Sequence, residues 1–159
     1  MQPLSPVRSY VRRDTLLMKN TFIAKATIAI NTTAAKVWEA LTTPVIIKQY
    51  FFGVDVVTDW KVGSPIIYNG LWQGKPFEDN GKILKFEPEK VLASTHWSPL
   101  SGMPDSPENY HTVTYELSQY GSNTQVTITQ DNNASEAEKA DSERNWKMML
   151  DGLKKLLES

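Results

Sequence analysis

The chain has no cysteine. That absence removes disulfides, thiol nucleophiles, thiolate metal sites and iron–sulfur clusters. Long hydrophobic runs are missing as well. The most apolar stretch near the start, Phe22 to Ile30, spans nine residues and is broken by Lys25 and Thr27, against the roughly 20 that a membrane helix needs. No unbroken signal-peptide core precedes it. Neither sign of charge is in excess: 17 basic and 18 acidic side chains leave a formal net charge of −1. No bulk field therefore draws the molecule to nucleic acid or to an anionic membrane.

Histidine is scarce, with two in 159 residues. No H-x-x-x-H or H-x-x-E-H spacing exists, so no metal is expected. No G-x-S-x-G nominates a serine nucleophile, and neither G-x-G-x-x-G nor G-x-x-x-x-G-K-[ST] nominates a nucleotide. The expectation is a chain without a cofactor. Aromatics, by contrast, are plentiful: five tryptophans, six tyrosines and five phenylalanines. They lack the interleaved basic residues of a nucleic-acid platform. With 40% hydrophobic and 22% charged residues, the composition is that of an ordinary globular protein. The length suits one domain.

Residues 1–19 read as a flexible basic extension carrying Arg8, Arg12 and Arg13, or as residues upstream of a start at Met18; a basic, serine-containing leader also fits a targeting peptide. Residues 20–159 read as the domain, and the expected location is the cytoplasm. Thr21 to Ile30 alternates, with Phe22, Ala24, Ala26, Ile28 and Ile30 on one face, the pattern of a half-buried strand. Asn31-Thr32-Thr33 offers caps to a short helix over Ala34 to Leu41, and Pro44 opens a second through Tyr50. Six strand signals follow, over Val54–Trp60, Pro65–Trp72, Phe77–Glu87, Lys90–Trp97, Tyr110–Ser118 and Thr124–Gln130. Short turn-forming links between them imply antiparallel hairpins. The exception is Ser98 to Asn109, with three prolines, a glycine and three serines, a lid or a mobile loop.

Ser135 and Glu138 form a capping box, and Trp146, Met149, Leu150, Leu153, Leu156 and Leu157 make an apolar stripe at helical spacing. The helix that results is about 23 residues and roughly 34 Å long. Its first half, Glu136 to Asn145, has nothing apolar larger than Ala137 and Ala140. Seven strands at about 4.8 Å spacing make a sheet roughly 29 Å wide, and a helix is only about 10 Å across. The sheet must curl around the helix, and the half-bare helix either leaves a vacancy there or projects into water.

Particular segments sharpen this picture. Val37-Trp38-Glu39-Ala40-Leu41-Thr42-Thr43-Pro44 resembles the V-W-x-A-L-T-x-P segment of the START-like (SRPBCC, Bet v 1-like) helix-grip superfamily. Val62-Gly63 before the alternating Ile66 and Tyr68 resembles its turn into the third strand, and Gly81 to Pro88 its G-x-V-x-x-x-x-P strand. Trp146 to Leu157 resembles its W-x-x-x-L-x-x-L-K-x-x-L helix. Together the motifs are most similar to the branch named for homologues of the activator of the ninety-kilodalton heat-shock protein ATPase. The resemblance implies an α+β helix-grip fold: a curved seven-stranded antiparallel sheet around a long C-terminal helix, with two short helices after the first strand. It also implies a hydrophobic cavity for lipids, polyketides, hormones or similar molecules. Contact with a stress-response chaperone is a further implication, although a seventeen-residue leader cannot hold the separate domain through which true activators touch it.

The candidate ligand-binding residues are Trp38, Phe51, Tyr68, Trp72, Trp97, Tyr115, Trp146 and Met149, because aromatic bodies with polar tips suit a large apolar site. Residues of this kind are also ordinary core, and Tyr68 and Trp72 share strand parity, so both face inward or neither does. Three readings follow. The first is a binding protein for a small hydrophobic molecule. The second is an enzyme of cyclase, hydrolase or isomerase type using His96, Tyr110 or His111 as acid–base groups. The third is a chaperone-associated interaction module. Glu78 and Asp79, being adjacent on a strand, face opposite sides; one can point inward to hold a ligand's polar end, or both can lie solvated near a turn.

Overall fold

The computed structural model describes residues 10–13, 16–19 and 22–159. Strands β1 (Tyr10–Arg13) and β2 (Leu16–Lys19) pair as an antiparallel hairpin. They fall within the extension expected over residues 1–19, the remainder of which lies outside the described residues. The domain then runs β3 (Phe22–Ile30), α1 (Ala34–Thr42), α2 (Pro44–Tyr50), β4 (Asp55–Val57), β5 (Pro65–Trp72), β6 (Lys75–Glu87), β7 (Val91–His96), β8 (His111–Tyr120), β9 (Asn123–Asn133) and α3 (Glu136–Glu158). The seven strands β3–β9 form one curved antiparallel sheet in the order β3-β9-β8-β7-β6-β5-β4. This is the α+β helix grip expected. No helix among the described residues is long and apolar enough to cross a membrane.

Local chemistry explains most boundaries. Thr33 caps α1 by accepting from Lys36 N–H at 3.2 Å, and Pro44 opens α2. The Ser135 hydroxyl accepts from Glu138 N–H at 3.1 Å while the Glu138 carboxylate accepts from Ala134 N–H at 3.1 Å. One boundary departs from expectation. The strand signal over Val54–Trp60 yields only three strand residues. Asp59 turns the chain by accepting from Lys61 N–H at 2.9 Å, and Trp60 takes a left-handed φ of 63°. The strand ends at Val57, before this turn.

Inward-facing side chains of the sheet meet α1, α2 and the C-terminal half of α3 in one core. Ile83, Ile128, Met149, Leu150 and Leu153 are essentially inaccessible there. Each such side chain contributes about 1.5–3 kcal/mol by leaving water. The Tyr50 hydroxyl donates to Ala40 C=O at 2.9 Å and ties α2 to α1. Gly81 is dictated by close approach, since a Cβ there would lie 1.9 Å from the carbonyl oxygen of Thr95.

Helix α3 also serves as an edge guard. The Glu143 carboxylate accepts from Lys25 N–H at 3.0 Å, Lys154 Nζ donates to Ala29 C=O at 2.8 Å, and the Glu158 carboxylate accepts from Asn31 N–H at 2.7 Å. Two backbone groups of β3, Lys25 N–H and Ala29 C=O, and the N–H of Asn31 just beyond it are thus taken by side chains of α3.

Candidate functional site

At the end of the grip where α3 is bare of large apolar residues, sheet and helix do not close on each other. A cavity of about 690 Å³ lies between the inner faces of β5–β9, the end of α2, the segment 98–110 and the N-terminal half of α3. Its floor is an aromatic belt. The Phe51 ring lies 6.2 Å from Tyr68 and 6.0 Å from Trp146, centroid to centroid. Trp146 meets Tyr115 edge-on at 6.0 Å, and Tyr68 meets His96 edge-on at 5.5 Å. Below the belt only a void of about 20 Å³ remains, among Leu41, Ile47, Ile66, Ile83 and Leu92, enough for about one water. The mouth is edged by Phe52, Leu71, Trp72, Leu100 and Met148, all exposed.

Strand register assembles the wall. Tyr68 stands opposite Asp79, His96 opposite His111, and Val113 opposite Gln130, and every one of these six lines the cavity. Gly70, between Tyr68 and Trp72 on the same face, leaves room for Phe77, whose ring would lie 2.6 Å from a Cβ at that position. Phe51 caps α2, and positive φ values of 52° and 71° at Phe52 and Gly53 turn the chain there.

A polar strut holds α3 above the cavity where apolar packing is lacking. The Trp146 indole N–H donates to Gln130 Oε1 at 2.8 Å. Gln130 Nε2 in turn donates to Ser142 Oγ and to Asn133 Oδ1, each at 3.1 Å. Across the cavity, His96 Nε2 lies 3.0 Å from Asp79 Oδ2, so the carboxylate fixes the ring and its tautomer. His111 Nδ1 lies 2.7 Å from the carbonyl oxygen of Asp131; a carbonyl only accepts, so Nδ1 carries the proton. Burial pushes the Tyr68 hydroxyl up to about 12, the Ser94 hydroxyl beside it working against this and the Asp79 charge with it. Burial likewise raises Tyr115 well above 10, aided by Tyr68 and Tyr50. Among the described residues no three ligating side chains converge to hold a metal ion.

Of the residues singled out by sequence, the structure brings Phe51, Tyr68, Trp72, Tyr115, Trp146, His96 and His111 together at the cavity. Tyr68 and Trp72 face it jointly. Trp38 does not reach it; it packs in the core, edge-on to Phe86 at 5.1 Å. Met149 is buried in the same core, and it is Met148 that reaches the mouth. Trp97 follows His96 on an extended segment and so lies on the other face, stacked on Tyr110 at 6.4 Å with its indole N–H donating to Met103 C=O at 3.2 Å. The Tyr110 hydroxyl is bound to Asp105 Oδ1 at 2.6 Å, away from the cavity. Phe77, Gln130, Ser142 and Asn145 are wall residues that sequence reasoning missed. For Phe77 a signal existed: inward parity read back from Ile83 through Gly81 and Asp79 reaches it. Asp79 is the inward member of its pair and Glu78 the exposed one. The segment 98–110 has more order than expected, with two 3₁₀ turns at Pro99–Ser101 and Pro107–Asn109.

A curled sheet gripping a long helix over an aromatic cavity defines a START-like helix-grip protein. The chain matches the family model described as Activator of Hsp90 ATPase homolog 1-like protein over residues 31–158, and it belongs to that family. ChR145 from Cytophaga hutchinsonii is similar at 51% identity, over 89% of this chain and 97% of that one, with a TM-score of 0.78. The Aha1 dimer from Colwellia psychrerythraea shares the fold at 22% identity, over 84% and 94% of the two chains, with a TM-score of 0.66. CalU16 from Micromonospora echinospora shares it at 24% identity, over 80% and 70%, with a TM-score of 0.62. No curated protein matches the chain in sequence.

Proposed function

We propose that this chain is a cytoplasmic binding module that encloses one small, mostly apolar molecule of lipid or polyketide type in the cavity above the aromatic belt. The observation that carries the reading is the cavity itself. Its volume of about 690 Å³ falls within the roughly 300–1,000 Å³ of ligand sites, and its wall has the usual makeup, mostly aromatic and aliphatic with a few polar groups. Native mass spectrometry of freshly purified protein tests it: a retained ligand appears as added mass. Titration with an uncharged apolar dye such as Nile red should give one saturable site. An absence of saturable uptake together with an unliganded mass overturns the reading.

The pairing of His96 with Asp79 at 3.0 Å inside the cavity favours a second reading, acid–base catalysis on the enclosed molecule, with Asp79 orienting the ring. Conversion of a ligand recovered from the protein, lost in His96→Ala, is the expected result. Chaperone contact rests on the family description, and stimulation of that chaperone's ATP turnover is its test. Cell fractionation tests the cytoplasmic location.

A further inference from the structure

The proposed binding role leaves open what kind of polar end the guest carries, and the wall bears on that question. Asp79 is 9% exposed, and its Oδ1 is buried without a hydrogen-bond partner, while Oδ2 is taken by His96. A buried acceptor left unmatched is costly, and more so when it belongs to a carboxylate. Among the described residues lining the cavity there is no lysine or arginine; Asp79 and the two histidines are its ionisable groups apart from tyrosines. The Gln130 amide is committed at both ends to Trp146, Ser142 and Asn133. His111 donates its Nδ1–H to Asp131 C=O, which leaves Nε2, when unprotonated, as a second acceptor. The wall therefore has acceptors to match and no lysine or arginine for an anionic head, its donors being the hydroxyls of Tyr68, Tyr115 and the serines and the amides of Asn109 and Asn145. The rings of Phe51, Tyr68 and Trp146 in the lining add to this, since aromatic rings attract positive charge to their faces.

We infer that the guest presents a hydrogen-bond donor, an O–H or N–H group, to the Asp79 carboxylate in the cavity wall, and that the cavity discriminates against molecules headed by a carboxylate. This rests on the binding role proposed above and adds the chemistry of the head group. Free fatty acids and other anionic amphiphiles are thereby disfavoured, while alcohols, phenols and amines on a flat apolar body are selected.

Four probes with one anthracene body test it on the full chain: 9-methylanthracene without a polar head, 9-anthracenemethanol, 9-(aminomethyl)anthracene and anthracene-9-carboxylate, titrated by fluorescence. The alcohol and the amine should bind more tightly than the headless body, and the carboxylate at least about tenfold more weakly than either donor. The alcohol and amine arms separate a neutral donor from a cationic one. In Asp79→Asn the spread between donor and carboxylate heads should collapse. If the headless body binds while the three heads bind alike, or if Asp79→Asn keeps the ranking, the inference is wrong and the binding role stands. If no probe binds, both fall together. Should Asp79→Asn fail to fold, the ranking in the unaltered protein decides.

Discussion

The two ends of the grip share one sheet and one helix, and they differ in what the helix brings. At the closed end α3 presents Met149, Leu150 and Leu153, all inaccessible to solvent, to Ile83, Ile128 and the two short helices. The residual void there is about 20 Å³. At the open end the same helix presents Ser142 and Asn145, and a cavity of about 690 Å³ remains. The open end is held by directed hydrogen bonds, from the Trp146 indole to Gln130 and from Gln130 to Ser142, rather than by contact area. Stability is thus concentrated at one end and room for a guest at the other. Substituting at one end should move one property and spare the other.

The largest effect is expected from Leu150→Ala, a deletion in the closed end that should cost about 2–5 kcal/mol. Urea unfolding reads the loss, and dye affinity of the folded fraction should hold. An equal loss of affinity would show that the ends are not separable. Next comes Gly81→Ala, where the added methyl meets the carbonyl oxygen of Thr95. Forcing β6 and β7 apart should cost about 1–3 kcal/mol, visible as a lowered Tm.

The belt between the ends supplies a pH test. Tyr68 is pushed up to about 12, and Tyr50 and Tyr115 are also raised by burial. Tyrosines of the unfolded chain ionise near about 10. The folded chain therefore keeps protons that the unfolded one loses. This contribution is fully present below about pH 10 and drains away as the pH climbs towards 12. Phenolate absorbance should show these three titrating late, together with Tyr110, which burial and the Asp105 carboxylate also push up to about 12, in step with a falling urea midpoint. Tyr68 and Tyr115 ionising near 10 in folded protein would mean that water reaches the belt.

Smaller effects remain at the open end. Ser135→Ala removes the cap of α3 and should cost about 1 kcal/mol, with faster amide exchange confined to the helix's first turns. Trp72→Ala, at a side chain 56% exposed, should change stability by no more than about 0.5 kcal/mol. It should nevertheless weaken dye binding about two- to tenfold, the reverse of the Leu150→Ala pattern.

The sequence made the long helix and the strand alternation legible because both are local patterns. The capping box at Ser135 and Glu138 and the stripe from Trp146 to Leu157 need no distant partner to be recognised. Parity likewise joined Tyr68 to Trp72, and it separates His96 from Trp97, so that pair could not both face inward. Depth was not legible. Trp38 and Trp146 both sit on helices beside small and apolar residues, yet one packs against Phe86 and the other floors the cavity. Which of them meets empty space depends on how far along α3 the sheet stays closed, a property of the assembled layers. Asp79 shows the same limit: alternation made it a candidate, but only the register with Tyr68 and the proximity of His96 reveal an unmatched oxygen.

The guarding of β3 has a consequence for how these molecules behave in company. At one border of the seven-stranded sheet, carboxylates and a lysine from α3 already occupy backbone positions that a foreign strand would seek. At the other border β4 offers a run of just three residues. Neither margin is a good template for extending the ladder into fibrils.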